Sequence, residues 1–88
     1  MKIYRVRQKK LFENQRKECA FFTSAKSAVE YIKANLDSNC EWGGCKNNEW
    51  IYDISQMKKT LLDGFRWGEM RGGYLSNDFN IEIINTEN

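Results

Sequence analysis

The chain has 88 residues, a net charge of +2 and an aromatic content of 14%, with three cysteines and no histidine. A chain of this length folds as one domain with a modest core. We therefore expect residues 1–88 to form a single domain with little room for a deep substrate cavity, which favours binding over catalysis.

The first segments predict a β-hairpin followed by a helix. KIYRVR at 2–7 and ECAFF at 18–22 are rich in β-forming residues, and polar, turn-prone residues separate them. Thr23 or Ser24 is suited to cap the following helix. Apolar residues then recur at helical spacing. They are Ala25, Ala28, Val29, Ile32 and Leu36.

The second half predicts a loop, a strand, a shorter helix and a last strand. Residues 37–48 contain Gly43-Gly44 and Asn47-Asn48, which favour a loop. EWIYDI at 49–54 and FNIEII at 79–84 alternate as half-buried strands do. Between them, a second helix is predicted from Ser55 to about Gly64, ended by that glycine in a left-handed conformation.

The order β-β-α-β-α-β predicts an α+β fold. We expect a small, mainly antiparallel sheet of three to four strands, with the two helices packed on one face.

Basic residues are concentrated at the N-terminus. Residues 1–17 contain seven basic groups and one acidic group, whereas residues 18–88 have a net charge of −4. One interpretation is a nucleic-acid contact. The alternative is a solvated hairpin face whose cations pair with carboxylates on neighbouring strands, including Glu82. The small excess of basic over acidic residues favours this alternative, because nucleic-acid-binding domains usually have a larger one. The basic residues in question are Arg5, Arg7, Lys9, Lys10, Arg16 and Lys17.

The residue types present argue against most catalytic chemistry. Without histidine, the usual serine and cysteine triads are excluded. The glycine-rich GEMRGG follows a predicted helix, whereas phosphate-binding loops precede one. Cys40 and Cys45 bracket four residues, but a zinc site usually has four cysteine or histidine ligands, and here only Cys19 could add a third. We therefore predict a protein that is not an enzyme and has no metal and no cofactor, with a carboxylate-based hydrolase as a minor alternative.

The stretch from Asp63 to Asp78 predicts a contact surface. It is a glycine-rich connector with large aromatic rings and arginines, which are common in protein–protein hot spots and in base-stacking sites. The ring of Trp67 could instead fold back into the core, and the sequence leaves both positions open. The predicted contact residues are Arg66, Trp67, Arg71 and Tyr74 of this stretch, together with Trp42 of the other glycine-rich loop.

The sequence favours a cytoplasmic location. The few cysteines do not form a disulfide framework. MKIYRVRQKK lacks the apolar core of a secretory signal, and no apolar run approaches the ~18 residues that span a bilayer.

The segment FFTSAKSAVEYIKANL, followed by EWIYDI, resembles the strand–helix–strand core of small accessory proteins encoded by bacterial viruses. These include anti-defence proteins such as inhibitors of CRISPR effectors. The resemblance covers about half of the chain and implies a protein that binds and blocks a larger bacterial protein or complex in the host cytoplasm. Many such inhibitors imitate nucleic acid with a strongly acidic surface, and a chain of net charge +2 departs from that pattern.

Two binding functions are therefore predicted. The first is a protein-binding inhibitor or host-interaction factor, whose partner is a bacterial protein or a nucleic-acid-bound defence effector. The alternative is a small nucleic-acid-binding module that uses the basic hairpin and the aromatic stretch. Self-association is compatible with the same exposed aromatic residues.

Overall fold

A computed structural model of the chain describes residues 1–10, 12–36, 41–46, 49–51, 56–62, 64, 66–71 and 74–87. Within these residues the chain forms six strands and two helices. They are β1 (Lys2–Lys10), β2 (Lys17–Phe22), α1 (Ala25–Asn35), β3 (Glu41–Lys46), β4 (Glu49–Ile51), α2 (Met57–Leu62), β5 (Trp67–Arg71) and β6 (Tyr74–Asn85).

The six strands form one sheet in the order β2-β1-β6-β5-β3-β4, and each neighbouring pair is antiparallel. The first and last strands, β1 and β6, lie side by side inside the sheet and pair along nine residues of β1, from Lys2 to Lys10. This pairing brings the basic N-terminal strand next to Glu82, as the sequence predicted.

One face of the sheet carries the helices and the core. Val6 and Ile81 are register partners, as are Trp67 and Phe79, so these four side chains lie on the same face. They form one buried cluster with residues of both helices. The helical members are Ala28, Val29, Ile32 and Leu61, with Leu36 directly after α1. Both helices therefore pack on this face, as predicted.

The helix boundaries follow their capping residues. Ser24 is the N-cap of α1, and its hydroxyl accepts a hydrogen bond from the amide of Ser27 at 3.2 Å. Gly64 lies just beyond α2 with φ of +87°, the left-handed conformation that the sequence predicted there. The predicted cap of the second helix, Ser55, lies outside the described residues.

The prediction of three to four strands was wrong, because two glycine-containing segments that were predicted as connectors are strands. Residues 41–46 form β3, and residues 67–71 form β5. A Cβ atom on Gly44 would lie 2.7 Å from the carbonyl oxygen of Arg66, and one on Gly68 would lie 1.7 Å from that of Asn77. The glycines here allow close strand contact and do not form turns.

No helix in the described part of the chain is both long enough and apolar enough to cross a membrane.

Candidate binding surface

The structure places Trp67 in the core and not on a contact surface. Its side chain is 0% exposed, and its indole Nε1–H donates a hydrogen bond to the hydroxyl of Thr60 on α2. Trp42 is half-buried and packs edge-on against Trp67, with ring centroids 6.4 Å apart. Of the two positions that the sequence left open for Trp67, the core is the one observed, and the prediction of this ring as a contact residue was wrong.

The remaining residues of the predicted aromatic surface lie on the β5–β6 pair or directly before it. Arg66 precedes β5, and its side chain is 52% exposed. Arg71, the last residue of β5, and Tyr74, the first residue of β6, are register partners, but their side chains lie outside what the structure describes. Their role in binding stays a prediction.

The face of the sheet opposite the core has no described helix on it, and we call it the helix-free face. On it, Arg5 forms ion pairs with Glu18 of β2 and, at 3.4 Å, with Glu82 of β6. Arg7 lies 3.2 Å from the same Glu82 carboxylate. These contacts confirm that basic groups of the hairpin pair with carboxylates of neighbouring strands.

The Arg5–Glu18 contact changes the ionisation of both groups. The hydrogen bond from Arg5 is the main reason that the pKa of Glu18 is lowered, and the charges of Arg5 and Arg7 act in the same direction. The same hydrogen bond raises the pKa of Arg5. Both groups therefore stay charged over a wider pH range than they would in isolation.

A buried carboxylate, Asp78 of β6, organises one end of the helix-free face. It is 3% exposed and forms an ion pair with Arg16, from the loop that joins β1 to β2. Its second oxygen lies 3.6 Å from Nη1 of Arg66. Lys9 is the register partner of Asp78 on β1, but within the described residues it forms no ion pair.

A cleft of about 250 Å³ lies beside Asp78, between the β1–β2 loop and the sheet. Lys9, Lys10 and Arg66 contribute cationic groups to it, and Phe12 contributes an aromatic ring. Glu13 also lines the cleft, and one of its carboxylate oxygens lies 3.3 Å from Nζ of Lys17. The cleft is thus a mixed but predominantly basic site.

Phe12 is the most exposed large apolar side chain among the described residues. Its side chain is 95% exposed, and its backbone φ is +68°. A bulky residue in this left-handed region is unusual and costs roughly 1–2 kcal/mol. The loop therefore holds an apolar ring in solvent and does so in a strained conformation.

A second exposed ring, Phe21, lies on β2. It is 59% exposed and is the register partner of Arg5, which places it on the helix-free face of an edge strand. Neither Phe12 nor Phe21 was predicted as a contact residue. For Phe21 a sequence signal existed, because adjacent Phe21 and Phe22 in a strand must point to opposite faces. In the structure Phe22 packs against Tyr31 beside the core, and Phe21 lies on the other face.

Cys19 is half-buried beside Tyr31 of α1. Burial raises the pKa of the Cys19 thiol, and burial is also the main reason that the pKa of Tyr31 is raised. The thiol therefore behaves as a small core residue and not as an activated nucleophile. In the part of the chain that the structure describes, no three histidine, cysteine or acidic side chains are grouped as metal ligands. Cys40 lies outside that part.

No protein-family model matches the chain, and comparisons with curated proteins and with solved structures give no significant match.

Proposed function

We propose that this chain is a non-enzymatic binding protein that contacts another protein through its β1–β2 hairpin. The observation that carries this proposal is the exposure of two phenylalanine rings on that hairpin, 95% for Phe12 and 59% for Phe21. Exposure of an aromatic ring to water is unfavourable, and the free energy falls when a partner covers the ring. Aromatic rings are therefore common in protein–protein hot spots.

The charges of the helix-free face support a protein partner over a nucleic acid that lies along the whole hairpin. Four of the six basic residues considered for phosphate contact have carboxylate partners within the chain. A phosphate backbone would have to displace these carboxylates. The paired residues are Arg5, Arg7, Arg16 and Lys17.

The class of partner rests on the resemblance to accessory proteins of bacterial viruses. We propose a bacterial protein or complex that is blocked when the hairpin covers part of its surface. Because β2 is an edge strand, its unpaired backbone groups can extend a sheet in the partner, in addition to the contacts of Phe21.

The experiment is affinity capture from a bacterial lysate with the tagged chain, with and without nuclease treatment. Retention of a stoichiometric protein after nuclease treatment is expected for a protein partner. Loss of all retained material with nuclease would contradict the proposal and favour the nucleic-acid module. Recovery of a second copy of the chain alone, with a dimeric mass in solution, would instead assign the exposed rings to self-association.

A further inference from the structure

We propose that the cleft beside Asp78 binds the phosphate group of a nucleotide, with the ring of Phe12 stacked on the attached base. This site goes beyond the proposed protein contact, because it assigns a specific ligand chemistry to one end of the hairpin. The two groups that we assign as its phosphate ligands, Lys9 and Lys10, are not among the basic groups that form ion pairs within the described residues.

The balance of charge at this end is positive. Lys9, Lys10 and Arg66 line the cleft together with two carboxylates, Asp78 and Glu13. Each carboxylate is held by a further cation from outside this group, Asp78 by Arg16 and Glu13 by Lys17. Five cationic groups therefore meet two anionic ones, an excess of three positive charges that suits a phosphate dianion.

Two of the cations have no ion-pair partner in the part of the chain that the structure describes. Neither Lys9 nor Lys10 forms an ion pair with a described residue. Asp78 is the direct cross-strand neighbour of Lys9, yet its two oxygens face Arg16 and Arg66. Lys9 thus lies beside a carboxylate that is already compensated, and within the described residues no acidic side chain takes up its N–H donors.

The dimensions of the cleft and the position of Phe12 complete the site. Its volume of about 250 Å³ is several times the ~30 Å³ that one water molecule takes up in the liquid, so a phosphate and the sugar attached to it can enter. Phe12 lines the cleft, and 95% of its side chain remains exposed. A ring that is open to solvent next to a phosphate site is suited to stack on a base.

A phosphate attached to a base occurs both in free nucleotides and in single-stranded nucleic acid. The experiment separates these sources by recording amide shifts in two-dimensional NMR spectra during three titrations at neutral pH. The probes are inorganic phosphate, AMP and a short single-stranded deoxythymidine oligonucleotide. We expect shifts centred on Lys9, Lys10 and Asn14 with all three, and tighter binding of AMP than of phosphate.

Variants test the assigned groups. Lys9→Gln/Lys10→Gln should weaken AMP binding about tenfold, because each exposed ion pair contributes up to roughly fivefold. Lys26→Gln/Lys33→Gln makes the same change of charge on the exposed side of α1 and should leave AMP binding unchanged. Glu13→Gln removes a negative charge from the cleft and should strengthen phosphate binding. At a cation-binding site, the same substitution would weaken binding.

Phe12→Asn removes the ring and introduces a residue that tolerates the left-handed backbone. It should abolish the advantage of AMP over inorganic phosphate, which we expect to be roughly fivefold or more. An oligonucleotide that binds at least tenfold more tightly than AMP would identify single-stranded nucleic acid as the source, and equal affinities would identify a free nucleotide.

Two results would overturn the site. One is the absence of shifts at the cleft with all three probes at millimolar concentrations. The other is an equal loss of AMP binding in the two double-lysine variants, which would show a diffuse charge effect. Neither depends on the identity of a protein partner, so the phosphate site and the proposed function can fail independently.

Discussion

Arg16 and Asp78 lie 62 positions apart in the chain and form an ion pair in which both side chains are largely buried. The contact joins the β1–β2 loop to the central strand β6. It thereby anchors the loop that carries Phe12, and it compensates a carboxylate that is only 3% exposed.

Arg16→Gln should lower the free energy of unfolding by about 2–4 kcal/mol, since it leaves the buried Asp78 carboxylate with the more distant Arg66 as its remaining partner. Urea denaturation followed by circular dichroism measures this loss. The matched control is Lys17→Gln in the next position, whose pair with Glu13 is exposed and should contribute less than about 1 kcal/mol. Equal, small losses in both variants would contradict a structural role for the buried pair.

Trp67→Ala should destabilise the fold by about 3–5 kcal/mol, because it leaves a large cavity under α2 and removes the donor to Thr60. Thermal melting should show a strongly lowered or absent cooperative transition. A variant that melts like the wild type but no longer captures a partner would instead put this ring on the binding surface.

Phe12→Asn should raise the free energy of unfolding by about 0.5–1 kcal/mol. Asparagine adopts the left-handed conformation more readily than phenylalanine, and the lost ring is almost fully exposed in the folded state. The corresponding rise in melting temperature is roughly 2–8 °C for a domain of this size.

The control for this substitution is Phe12→Ala, which removes the same ring but keeps a residue that disfavours the left-handed backbone. Its stability should stay close to that of the wild type. If alanine and asparagine stabilise the protein equally, the gain comes from removing the exposed ring and not from relief of backbone strain.

Glu18→Gln tests the ion pair with Arg5 through its pH dependence. The pKa of Glu18 is lowered in the folded protein, so the unfolded chain binds its proton more readily. The stabilisation from the Arg5–Glu18 pair is therefore fully present at pH values above the ordinary glutamate pKa of roughly 4.3. It is lost as the pH falls through the lowered pKa of Glu18 in the folded protein. The stability difference between wild type and variant, measured by urea denaturation, should be constant near neutral pH and should shrink below about pH 4.

The control for this pH effect is the Arg5→Gln background. There, Glu18→Gln should lose most of its pH dependence, because the hydrogen bond from Arg5 is the largest cause of the lowered pKa. An unchanged pH dependence would assign the effect to Arg7 and not to Arg5.

Local patterns were sufficient to predict the parts of the fold that depend on local chemistry. The hairpin, α1 with its Ser24 cap and the last strand follow from β-propensity, helical spacing and alternation. The pairing of Arg5 and Arg7 with Glu82 was also predicted, because opposite charges on neighbouring strands attract.

The parts that were missed depend on contacts between distant segments. Gly44 and Gly68 were interpreted as loop residues, whereas they allow β3, β5 and β6 to approach closely. That error also placed Trp67 in a connector, although it lies on a strand opposite Phe79 in the core. Phe12 is exposed in a loop that has a left-handed backbone at this residue and is joined to β6 by the Arg16–Asp78 contact, and neither feature has a local sequence pattern.

The most direct test of the proposed contact surface compares two variants in affinity capture, each first shown to melt cooperatively. Phe12→Asn/Phe21→Thr changes the hairpin. Arg71→Gln/Tyr74→Thr changes the glycine-rich segment that the sequence predicted as the contact surface. We expect the hairpin variant to lose the nuclease-resistant partner, with affinity lowered at least about thirtyfold, and the second variant to retain it. Retention by the hairpin variant together with loss by the second variant would contradict the account and place the contact surface at the paired ends of β5 and β6.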